Sequence, residues 1–77
     1  MPEYEKVEVL QYCRSIFNNL YKKRGHRLTE EEINYLLKFM KIWDNTSIDN
    51  NKLIEKAGMK DVEFAFLGGY IHTFDLL

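Results

Sequence analysis

Little in this 77-residue chain can support covalent or metal chemistry. Cys13 is the single cysteine, so an internal disulfide and any CxxC metal or redox pair are excluded. His26 and His72 stand apart, with no second histidine or carboxylate at a metal-ligand spacing beside either. Gly68-Gly69 belongs to neither a GxxxxGK nor a GxGxxG pattern, so no phosphate loop is encoded. No Ser-centred nucleophile motif occurs, and Cys13 lies on an apolar helical face where thiols are usually inert. The expectation is a chain that is not an enzyme and has neither metal nor cofactor.

Charge of one sign is missing as well. The formal net charge is −1, although residues 1–27 lean basic and the remainder leans acidic. Long apolar runs are absent: the longest uncharged stretch, Phe64 to Phe74, falls far short of the ~20 residues of a membrane-spanning helix. With no charged start followed by an apolar run and cleavage site, a cytoplasmic protein away from the membrane is expected.

Large apolar side chains, by contrast, are plentiful. Apolar residues make up 45% of the chain and aromatic ones 14%, which supports one folded domain over residues 1–77 and excludes disorder beyond the ends. A domain this small buries only about 60% of the surface its unfolded chain exposes. Some of this apolar surface is therefore expected to stay outside and serve as a contact for another protein.

The pattern is helical. Pro2 suits a first helical position, Glu3, Glu5 and Glu8 suit the positive end of a helix, and Gly25 suits its stop, giving a first helix over about 3–23. Leu10, Cys13, Phe17, Leu20 and Tyr21 share one face of it; Val9, Tyr12 and Ile16 widen the arc. Thr29 followed by Glu30, Glu31 and Glu32 forms a capping box for a second helix. That helix carries two apolar arcs, Ile33, Leu36, Leu37, Met40 and Trp43 on one and Tyr35, Phe39 and Ile42 on the other, which predicts a central position or an unmatched face. Asp44 to Ser47 predict a break, and Ser47 or Asp49 caps a short third helix that ends at Ala57 with Gly58 in the left-handed position.

The last segment reads two ways. As a helix it aligns Phe64, Leu67, Tyr70, Ile71, Phe74 and Leu77; as a hairpin it turns at Gly68-Gly69 and makes a wing. The all-α reading, a bundle of about four helices with a helix-turn-helix-like C-terminal pair, is the expectation. The alternative is three helices plus a C-terminal β-hairpin, a winged-helix-like arrangement.

The spacing of Leu53, Ala57, Gly58, Met59, Phe64 and Leu67 resembles the helix-turn-helix of small DNA-binding regulators. That resemblance implies a supporting helix over residues 29–43, with phosphates held by Lys60 and the basic run Lys22, Lys23, Arg24, His26 and Arg27. The second motif helix, however, is read as offering Asp61, Glu63, Ala65, Gly69 and His72 outward, where base edges call for Arg, Lys, Asn and Gln. The favoured expectation is therefore a protein-interaction domain, an accessory subunit, adaptor or inhibitor, that docks through Tyr12, Ile16, Tyr35, Phe39 and Ile42. A nucleic-acid-binding regulator is the alternative.

Overall fold

In a computed structural model, residues 2–23 and 25–74 are described. They form four helices, α1 (Glu3–Lys22), α2 (Glu30–Asp44), α3 (Ile48–Lys56) and α4 (Asp61–Thr73), with no strand among the described residues. The chain is a small all-α bundle.

Local chemistry sets each boundary. Glu3 and Glu5 complement the positive start of α1, and Gly25 takes a left-handed φ of 78° in the loop beyond its end. At α2 the Thr29 hydroxyl accepts from the Glu32 N–H at 3.1 Å, and the Glu32 carboxylate accepts from the Thr29 N–H at 2.9 Å. The capping box expected from the sequence is thus complete. Burial would raise the Glu32 carboxyl, but hydrogen bonds from Thr29 and the proximity of His26, whose Nε2 lies 3.5 Å away, prevail and hold it below the usual value.

The Asn45 amide and Thr46 hydroxyl donate to the last carbonyls of α2, ending it where turn formers compete with the helix. Ser47 then caps α3, and the buried Asn50 side chain donates to the Asn45 carbonyl, fixing the angle between the two helices. Gly58, at φ 69°, closes α3. Its N–H and that of Met59 satisfy the carbonyls of Glu55 and Ile54.

The hairpin alternative for the C-terminal segment does not hold. Residues 61–73 are helical because Phe64, Leu67 and Ile71 fall on one face and are buried, at about 1.5 to 3 kcal/mol each. That outweighs the roughly 2 kcal/mol that two mid-helix glycines cost. Gly68 has a packing role: a Cβ there would sit 3.2 Å from the Trp43 ring. Leu77, the last residue of the expected helical spacing, lies outside the described residues.

The arrangement differs in one respect from the expected central α2. It is α1 that packs against all three other helices, while α2 packs against α1 and α4. At 20 residues, α1 is about 30 Å long, enough to receive α2, α3 and α4 along its length. Both arcs of α2 are nevertheless used: Leu36 and Met40 on one, Phe39 and Ile42 on the other, all join the core.

Candidate protein-interaction face

The five residues expected to form a docking surface separate into two groups. Ile16, Phe39 and Ile42 are 1%, 0% and 3% exposed and belong to the core, so in this fold no partner reaches them. The reason is that the second arc of α2 is used inside the fold, Tyr35 against Tyr12 of α1 and Phe39 against Phe64 of α4. Tyr12 and Tyr35 are half-buried and satisfy each other across the α1–α2 seam, with ring centroids 4.0 Å apart and planes 19° from parallel. Lys38 adds a cation over the Tyr35 ring, 5.1 Å from its centroid. Behind them Cys13 donates to the Tyr35 carbonyl, and burial pushes its thiol up to about 12, so it stays protonated at neutral pH.

The surplus aromatic surface lies elsewhere, where α1 meets α4. Phe17 and Tyr21 stack one turn apart on α1 at 5.6 Å, and Phe17 sets its edge against Phe66 of α4 at 5.0 Å. Phe66, Tyr70 and Phe74 continue the row along α4, with centroids 6.4 and 4.4 Å apart. Tyr21, Phe66 and Phe74 are 71%, 37% and 59% exposed, and Val62, on the same side of α4, is 64% exposed. The outer positions of α4 between them, Ala65, Gly69 and Thr73, are small and uncharged.

A helical wheel puts Tyr21 in the core arc of α1, but it does not say where α1 runs out of neighbours. The sequence does carry a signal for the face: Phe17–Tyr21 and Phe66–Tyr70–Phe74 are aromatic rows at i, i+4, each forming a continuous ridge on one helix face.

Arg14 positions α4 against α1. Its Nε lies 3.4 Å from a Glu63 carboxylate oxygen, and its guanidinium reaches over the α3–α4 turn to within 3.3 Å of a Cβ at Gly58. Glu63, expected from the sequence to face outward, is instead buried at the start of α4, where its other oxygen accepts from the Lys60 N–H at 3.0 Å. A carboxylate near a helix N-terminus is stabilised by the free N–H groups there, and that outweighs its tendency to face water.

The basic candidates do not converge. Lys22, Lys23 and Arg27 are exposed around the end of α1, and His26 turns inward to Glu32. Arg24 lies outside the described residues. Lys60 sits at the start of α4, whereas the row Arg14–Glu63 then Phe17–Phe66 shows α1 and α4 running alongside in the same sense. Lys60 and the basic run therefore mark opposite ends of the pair.

Among the described residues, no group of three or more His, Cys, Asp and Glu is placed to hold a metal ion, and no helix is long and apolar enough to cross a membrane. Set against protein-family models, curated proteins and solved structures, the chain matches none of them.

Proposed function

We propose that this chain is a non-catalytic protein-interaction domain, an accessory subunit, adaptor or inhibitor in a larger assembly, that docks through the aromatic face of α1 and α4. The observation that carries the reading is the row Tyr21, Phe17, Phe66, Tyr70 and Phe74, which leaves three large rings substantially in water on a 77-residue chain. Contiguous apolar surface of this kind on a small protein marks a contact site, and aromatic rings contribute much area at low entropic cost. Less supports nucleic-acid binding, since the outer face of α4, which a helix-turn-helix would present to a groove, has no Arg, Lys, Asn or Gln.

Affinity capture from the cells that make the protein tests the reading. Wild type and Ile48→Ser, an exposed apolar residue outside the row, are expected to retain the same partner. Phe66→Ser/Phe74→Ser is expected to lose it at least tenfold, because truncating central interface aromatics typically costs ~2 kcal/mol or more. Equal capture by all three proteins would overturn the proposal.

A further inference from the structure

We infer that the occupant of this face is a second copy of the same chain, the two α4 helices crossing at Gly69; the inference rests on the docking role proposed for the face. Two adjacent glycines point to it first. Gly68 is bare because Trp43 lies against it, but among the described residues no heavy atom stands within 4 Å of where a Cβ of Gly69 would be. A glycine in the middle of a helix lowers helix stability, and no contact among the described residues uses the bareness of this one. A backbone approaching from outside does.

Shape points the same way. Ala65 and Thr73 lie one turn before and after Gly69 and are exposed, so the three form a shallow recess along the outer face of α4. Val62 and Phe66 stand beside it as ridges. A twofold contact requires one patch to carry both the recess and the ridge that fills it, and this face carries both.

Charge narrows the choice of partner further. Lys, Arg, Asp and Glu make up 30% of the chain, yet from Val62 to Phe74 the exposed positions include none of them, and His72 is the one ionisable side chain exposed there. Residues near a twofold axis meet their own copies, so any charge there would face its like. A centre without Lys, Arg, Asp or Glu suits pairing with itself, whereas a strongly charged partner would find no opposite charge there.

The area is also sufficient. Counting about 150–250 Å² for a whole aromatic side chain, the exposed rings with Val62 and the recess offer roughly 600 Å² per copy, the low end for specific interfaces. A contact of this size suits a reversible dimer.

Sedimentation velocity from about 1 to 300 µM tests for this reversible dimer. Wild type and Ile48→Glu should pass from monomer to dimer within this range. Gly69→Glu should remain monomeric throughout, its midpoint raised at least tenfold, because it sets two carboxylates against each other at the crossing. Its far-ultraviolet circular dichroism and thermal midpoint should be no lower than those of the monomeric wild type, since Glu favours helix over Gly and the position is open. A wild type monomeric at every concentration, or a Gly69→Glu protein that dimerises with an unchanged midpoint, overturns the second copy. If wild type is monomeric while Phe66→Ser/Phe74→Ser still loses a captured partner, the docking face stands and only its self-pairing fails. Equal capture by every variant removes the docking face itself.

Discussion

Phe39→Ala is expected to lose about 3–5 kcal/mol of folding stability, as much as a single truncation in this core can cost. Phe39 has no exposed surface, and its ring lies 4.7 Å from Phe64 and 6.2 Å from Trp43, so its removal opens a hole between α2 and α4 where those helices define their distance. A domain of this length has a total stability of about 4–12 kcal/mol, so the variant keeps at most about 9 kcal/mol and, at the low end of that range, is unfolded at room temperature. Urea unfolding followed by the fluorescence of Trp43, the single tryptophan, reads the loss directly. Tyr35→Ala, on the same helix but half-exposed, should cost clearly less. A Phe39→Ala protein within about 1 kcal/mol of wild type would contradict the packing of α2 against α4. The same burial decides how binding experiments are interpreted: partner binding that disappears in Phe39→Ala reports unfolding, whereas binding that disappears in Phe66→Ser/Phe74→Ser reports the surface.

How much of this is legible in the sequence depends on the range of the interactions. Caps act within four residues, so spacing alone places Thr29 with Glu32 and Gly58 after α3, and narrows the cap before α3 to Ser47 or Asp49, of which Ser47 is the one used. The helical period also places Leu10, Cys13, Leu36, Met40 and Leu67 inside, and the surplus of large apolar residues implies the exposed patch that the fold has.

Spacing does not tell which helix covers which face. Ile16, Phe39 and Ile42 lie beside the strongest arcs and look superfluous on a wheel, but all three join the shared core, Phe39 against Phe64 of α4. Tyr21 lies within a strong arc yet is mostly exposed. Glu63 escapes the pattern for a different reason: a carboxylate is expected in water unless a helix start and an arginine from another helix converge on it, and Arg14 is 49 residues away in sequence.

The two adjacent glycines of α4 should respond to the same substitution in opposite directions. Gly68→Leu is expected to destabilise the monomer by about 2 kcal/mol, whereas Gly69→Leu should be neutral or stabilise it by up to about 1 kcal/mol. At Gly68 the first added carbon already comes within 3.2–3.3 Å of three atoms of the Trp43 ring. That ring cannot withdraw freely, because it is stacked on Phe64 at 4.5 Å with planes 17° apart and packs against Phe39 as well. The remaining carbons of a leucine would push α4 away from α2 and spoil the burial of Leu67 and Ile71, both without exposed surface. The helix-favouring gain of replacing glycine is present but smaller than this strain. At Gly69 the same gain acts alone, since the position faces open space. Measured at dilutions where the chain is monomeric, the thermal midpoints should separate by roughly 10 °C or more, given about 4–8 °C per kcal/mol in a domain of this size. Midpoints that fall together would mean that Trp43 does not rest on Gly68, and with that the close approach of α2 to α4 that makes the C-terminal segment a helix would have no support.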